Sequence, residues 1–380
     1  MILALIAKAA LGWQLLGPGG VPTGASVDPA SMVREEPTGW SGALVQTPSE
    51  ELARAAERAL ARLSDWPAGA PAPNGMLAAL GVSEGDLRQT LAWIVRVHQE
   101  DQGTEEDRLR DPAFLEANLR YLRWEPDRTD AARRGISLET DELRLTRYLV
   151  WSVAGSPVRT ERAPAALYQL PDQELGLTED QAAALPDLLR SRLTRQQVLA
   201  GAFLAGGSCE GRAQPLVWMR EEDVHQALLQ GTVRVDLPGG RHRFYTVHRS
   251  NGIAWDPSVR PHTAQARYWY FHETDGPRGW GPAGLTGAAL VPGVSVAGDV
   301  FNLGYGLLIS LERDGVRRLV VLEDTGGAFQ PNLFQLDLYT GVFRTQADFA
   351  RATAAVPARP HAGILVLRQT APPADADRVE

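Results

Sequence analysis

A single cysteine, Cys209, stands in 380 residues, which excludes an internal disulfide and any zinc cage built from several thiolates. Histidine is sparse. His242 and His248 flank a strand-like run, and His225, His262 and His272 are scattered. No HxxxH or HExxH spacing exists, so no metal site is implied. There is no G-x-x-x-x-G-K-[ST] phosphate loop, and Ser250 has no G-x-S-x-G elbow, which argues against P-loop and serine-hydrolase chemistry. Positive charge is nowhere concentrated. With a formal net charge of -8 the chain offers no basic face for phosphates, and nucleic acid is not the expected partner. Long apolar runs are missing as well. Met1 to Ala7 is apolar but too short to span a bilayer. Lys8 follows that run where a secretion signal wants the charge first, so the segment reads as an incomplete export signal. No cysteine lies near it to accept a lipid.

What is present suits a globular protein with room for two domains: 44% hydrophobic and 22% charged residues. Residues 1–46, rich in Gly, Pro and Ala, read as a loosely ordered leader. Thr47-Pro48-Ser49-Glu50 has the form of a capping box, and Leu52, Ala55, Ala56, Ala59 and Leu63 follow at helical spacing. A second helix is predicted from Ser83, and a third from Asp111-Pro112 that carries Phe114, Leu115, Leu119 and Leu122. Thr178/Gln181 and Thr194/Gln197 mark two further capped helices. β signals begin at Leu145 to Trp151 and dominate after Thr232. There a hairpin turns at Pro238-Gly239-Gly240, and short runs recur at Tyr268–Phe271, Val294–Ala297, Leu307–Leu311, Leu319–Leu322 and Ile364–Leu367. The fold class is therefore mainly β with a helical N-terminal part, its short strands suggesting a small barrel. Residues 371–380 read as a disordered tail, and no internal repeat is found.

The stretch with most chemistry runs from Leu319-Val320-Val321-Leu322 into Glu323-Asp324-Thr325-Gly326-Gly327-Ala328, then on to Leu336-Asp337-Leu338-Tyr339-Thr340-Gly341. An apolar run of this kind is a buried strand, and the glycines permit a turn. Alternation points Asp337 away from the face that holds Leu336 and Leu338. From the pattern alone two readings stay open: Asp324 as a turn residue with Asp337 facing solvent, or a pair of carboxylates doing acid/base work. Asp324-Thr325-Gly326 also coincides with the aspartic-protease signature. That mechanism needs two such carboxylates, and no second D-[ST]-G occurs here.

Further residues, in order, turn this into a resemblance. Leu145-Thr146-Arg147-Tyr148, Leu167-Tyr168 with Pro171, Gln230-Gly231-Thr232, Asn251-Gly252, Tyr268-Trp269-Tyr270-Phe271, Gly284 to Gly293, and Ser295-Val296-Ala297-Gly298-Asp299 precede the Asp-Thr-Gly-Gly-Ala and Asp-Leu-Tyr segments. From about residue 50 to 370 the chain resembles the membrane-bound lytic transglycosylase A family. Arg147 departs from a glycine of the family's pattern and Leu149 from a tyrosine. Trp255 stands where a Pro-Tyr-Arg run follows Asn-Gly-His, and Phe329 to Asn332 departs from the pattern after the Gly-Gly turn.

The resemblance implies a six-stranded double-psi β-barrel domain interrupted by a second β-rich domain. The barrel with its helical segment would span 47–147 and 278–370, and the insert 148–277. It implies cleavage of the β-1,4 bond between N-acetylmuramic acid and N-acetylglucosamine with a 1,6-anhydro product. Asp337 would be the single acid/base, with Asp324 and Asp299 as neighbouring carboxylates. Thr146, Tyr148, Gln230, Gly231, Thr232, Asn251 and Trp255 would contact the glycan. A peptidoglycan strand is the implied partner, with no cofactor, no metal and no membrane span, and the protein is expected to be a monomer in the cell envelope or periplasm. The alternative from a different class is a glycan-binding relative that kept the barrel and lost turnover.

Overall fold

The computed structural model describes residues 32–36, 42–66, 75–138, 141–185, 187–256, 258–281, 287–326, 329 and 331–369. Most of the expected leader, the expected tail, and Gly284, Gly327 and Ala328 lie outside the described residues. Fourteen strands are described: β1 Val33–Glu36, β2 Leu44–Val45, β3 Leu119–Trp124, β4 Arg144–Ala154, β5 Ala165–Tyr168, β6 Pro215–Met219, β7 Thr232–Asp236, β8 His242–Ser250, β9 Trp269–Thr274, β10 Ser295–Ala297, β11 Leu308–Arg313, β12 Val316–Asp324, β13 Gln335–Phe343 and β14 His361–Leu367. Among the described residues they form one large mixed sheet along an open path, β1-β3-β14-β11-β12-β10-β13-β4-β7-β8-β9, with β2 added at β12. β5 and β6 make a separate pair. The protein is mainly β with helices concentrated toward its N-terminal side, and the pairing itself shows no closed barrel.

Helix α1, Ser49–Ser64, buries Leu52, Ala55, Ala56, Ala59 and Leu63 on one stripe. Helix α2, Glu84–Asp101, starts from a reciprocal capping box between Ser83 and Asp86 and buries Leu87, Leu91 and Ile94. Both stripes join the apolar residues of β3, β11, β12 and β14 in the larger core. β12 is buried without a break from Leu319 to Glu323 because both its flanks and its faces are covered.

Three local expectations are corrected. Thr47 does not cap α1; its hydroxyl donates to the carbonyl of Leu319 and accepts from that residue's N–H, tying the helix start to β12. The third helix stops at Asn118, and Leu119 and Leu122 belong to β3, where their neighbours Leu367 and Ile364 of β14 set an extended conformation. Within the expected loose leader, Val33–Glu36 pairs antiparallel with β3, and Leu44–Val45 pairs parallel with β12.

A second apolar core gathers Ala163 to Phe271, including Phe203, Trp218, Tyr245, Tyr268 and Tyr270. Between the two, Val150, Leu290 and Tyr339 form a small cluster. β4 runs unbroken through this region, paired with β13 on one edge and β7 on the other.

Candidate active site

Two of the three expected carboxylates meet through β10. Its Ala297 pairs with Asp324 of β12 on one side and with Asp337 of β13 on the other. Two strand spacings separate the aspartates, so their α-carbons are about 10 Å apart. The register of β10 on β12 slips between Val296 and Ala297, and this bulge sets Ala297 opposite Asp324 rather than Glu323. Leu336 and Leu338 are buried in the larger core, which leaves the other face of β13 to Asp337 as alternation requires.

β4 supplies the partners of both groups. Thr146 pairs with Asp337 and Tyr148 with Tyr339 in the parallel β4–β13 ladder. The Tyr148 hydroxyl crosses to Asp324 and donates to its Oδ2 at 2.9 Å. Asp324 also accepts from the backbone N–H of Thr325 at 2.9 Å and from that of Trp280. Thr146 hydrogen-bonds the Asp337 carboxyl. Asp337 is 7% exposed, and its Oδ1 is buried with no partner in the protein. It therefore does not face open solvent.

Electrostatics follow from this burial. Desolvation pushes the Asp337 carboxyl up to about 7, with the Thr146 hydrogen bond opposing, Asp324 adding, and the Arg144 and Arg147 guanidinium groups opposing. Desolvation likewise pushes Asp324 up to about 7 against the bonds from Tyr148, Thr325 and Trp280. Burial holds the Tyr148 phenol far above its ordinary range, so it stays a donor. Near neutral pH the pair can hold a proton and can also release one, which is what an acid that must later act as a base requires.

The remaining expected residues divide into distinct groups. Asp299 is fully buried and acts as a clamp. Its carboxylate accepts from the N–H and side-chain amide of Asn302 and from the N–H of Asn332, joining the end of β10 to the segment before β13. Asn251 is also committed to structure: its amide nitrogen donates to the carbonyls of Leu193 and Ala266, and its oxygen accepts from Ile253 and Tyr268. Gln230 ends the helix Glu221–Gln230, and Gly231 caps it in the left-handed region at φ 84°. Thr232 then opens β7 and shares a hydrogen bond with Thr246 at 3.1 Å. From the ladders, Thr232 lies two strands from Asp337 and roughly 15 Å away. Trp255 is half-buried, with an unpartnered indole N–H.

Side chains beside Asp337 and Asp324 that sequence reasoning did not single out are Arg144, Gln335, Ser295 and Glu323. Arg144 donates to Gln335 Oε1 at 3.0 Å, and Gln335 Nε2 donates to Thr146 Oγ1 at 3.3 Å. Ser295 accepts from the N–H of Val291 and donates to Glu323. A signal for the first two was present. Gln335 stands two residues before Asp337, and Arg144 two before Thr146, so each shares a strand face with a site residue.

No protein-family profile matches the chain, and no curated protein matches it in sequence. Solved structures do match in fold. A membrane-bound lytic murein transglycosylase from Agrobacterium tumefaciens superposes with a TM-score of 0.57 at 18% identity, covering 85% of this chain and 93% of that one. E. coli MltA with bound chitohexaose gives 0.54 at 15% identity over 94% and 98%. MltA from Neisseria gonorrhoeae gives 0.54 at 15% identity over 85% and 89%. The chain has the MltA lytic transglycosylase fold over most of its length, with a sequence that has diverged far from those structures.

Proposed function

We propose that this chain is a divergent peptidoglycan lytic transglycosylase, with Asp337 as its one acid/base. The observation that carries the reading is the pairing of Asp337 and Asp324 around Ala297: two desolvated carboxyls, both raised to about 7, on a fold shared with MltA. In this mechanism neutral Asp337 gives its proton to the glycosidic oxygen as the bond to C1 of the muramic acid residue breaks. The resulting carboxylate then takes the proton of the C6 hydroxyl, whose oxygen closes on C1. The proton count balances within one residue and no water is consumed. A hydrolase, by contrast, must manage a water or a covalent intermediate with a second carboxylate. Burial of the Asp337 carboxyl keeps it protonated at the start, and Asp324, held by Tyr148, adds to this when it is ionised.

On this reading the strands around the larger core form the six-stranded double-psi barrel, and residues 148–277 around the second core are the inserted domain. Thr146, Tyr148, Gln230, Gly231, Thr232 and Trp255 line the path of the glycan. Asn251 acts on that path through the loop it holds with its four hydrogen bonds. A spacing of roughly 15 Å between Thr232 and Asp337 suits a ligand of several linked sugars rather than one. The enzyme is proposed to act as a monomer in the cell envelope, without a cofactor.

Mass spectrometry of muropeptides released from purified peptidoglycan tests this directly. We expect 1,6-anhydromuropeptides from the wild type and none from Asp337→Asn. Products with free reducing ends would make it a hydrolase. No product, together with retention on the insoluble sacculus, would leave the binding module instead.

A further inference from the structure

We propose that Gln335 and Arg144 are positioning residues for Asp337, acting through the hydroxyl of Thr146. The three side chains make one chain on the β4–β13 ladder: Arg144 Nη1 to Gln335 Oε1 at 3.0 Å, Gln335 Nε2 to Thr146 Oγ1 at 3.3 Å, and Thr146 Oγ1 to the Leu336 carbonyl at 3.2 Å, beside the Asp337 carboxyl. The ladder places them together, since Gln335 pairs with Arg144 and Asp337 with Thr146.

Each link has one direction. A guanidinium has no acceptor, so the Gln335 amide must turn its oxygen to Arg144 and its nitrogen to Thr146. That nitrogen occupies a lone pair on Thr146 Oγ1. The single hydroxyl proton of Thr146 is then left with two acceptors, the Leu336 carbonyl and the Asp337 carboxyl. Rotation about one C–O bond moves it between them, and no heavy atom shifts. While Asp337 is neutral, the proton rests on Leu336. When Asp337 is ionised, the proton turns to the carboxylate and stabilises it. Gln335 is 6% exposed, so no competing water donor replaces its amide cheaply. The other charged or titratable groups facing Asp337 are Asp324 from β12 and Arg147 and Tyr148 from β4; β10 offers only Ala297 there.

The proposal rests on the reading of Asp337 as the acid/base, but its test does not need substrate. Carboxyl 13C titration of Asp337, assigned by comparison with Asp337→Asn, reads the ionisation directly. Gln335→Glu keeps the shape and the Arg144 contact, removes the donor and adds a charge. It should raise the Asp337 midpoint by about one pH unit or more. Gln335→Met, which removes the donor without adding charge, should raise it by a smaller amount. Thr146→Val should raise it by about one unit. Arg144→Ala should raise it too, and Arg144→Lys, which still donates to the Gln335 oxygen, should restore the wild-type midpoint. The pH limb of kcat should move with the midpoint in each variant. An Asp337 midpoint unmoved in folded Thr146→Val and Gln335→Met would overturn the proposal, as would lost activity without any shift. The titration is read on free protein, so a failure of the transglycosylase reading would leave the measured midpoints, and what they say of Gln335 and Arg144, unchanged.

Discussion

At the scale of single residues, the site is unusual in holding a third carboxyl beside Asp324. Glu323 is fully buried, accepts from Ser295, and keeps an unpartnered Oε1. Burial pushes it up from an ordinary 4.5 to about 8, with Ser295 and Arg58 opposing and Asp324 adding. The folded state therefore binds a proton that the unfolded state has already released above about 4.5, so stability falls as pH rises through this window and levels off above about 8. Asp324 and Asp337, raised to about 7, add to the same slope. Each such group contributes on the order of 1.4 kcal/mol per pH unit. Histidines that desolvation pushes down, His248 above all, pull the other way below about pH 6.5, so the test is a difference. We expect Glu323→Gln to shift the pH slope of the unfolding free energy, measured by urea titration between pH 5 and 7, upward by about 1.4 kcal/mol per pH unit relative to wild type. An unchanged slope would mean that Glu323 is already ionised in the folded protein.

At the scale of elements, the short strand β10 decides the geometry and Asp299 anchors its end. The three hydrogen bonds that Asp299 accepts hold the helix Val300–Leu303 and the backbone at Asn332. Asp299→Ala should cost about 2 kcal/mol by leaving a buried N–H unsatisfied and a helix uncapped. Because Asp299 is absent from the groups that set the Asp337 ionisation, Asp299→Asn should leave the pH profile of activity where it is. Denaturant titration and a pH–rate series check the two halves separately; a displaced limb in Asp299→Asn would return Asp299 to the acid/base group.

At the scale of the whole molecule, two apolar cores share one sheet. β4 passes from the larger core to the smaller without interruption, and the cluster of Val150, Leu290 and Tyr339 packs at the crossing. Strands that share ladder hydrogen bonds across a boundary cannot open on one side without exposing backbone on the other. We expect calorimetry to show one endotherm for the wild type. Two resolved transitions would show that the cores unfold independently.

Much of this was legible in the residues themselves. Periodicity marked α1 and α2 and most strands from β4 onward, because a helix stripe and a β-branched run bury their apolar faces whatever they pack against, but it missed β1, β2 and β3. The order of weak motifs pointed to the fold, and the Leu-Asp-Leu alternation already turned Asp337 away from the core. Pairing across long separations was not legible. Sequence spacing cannot say that Asp337 lies beside Thr146, nearly two hundred positions away, or that Tyr148 reaches over to Asp324. Nor could it show that Asn251 spends its whole amide on its own loop. The bulge in β10 is the sharpest case: local sequence sets the strands, but a one-residue slip against β12 chooses Asp324 over Glu323 as the partner of Ala297. Local propensity determines most of the elements, though β3, expected to be helical, takes its extended form from pairing with β14. Register and burial, which depend on the rest of the chain folding around them, decide which carboxyls meet and which of them keep a proton.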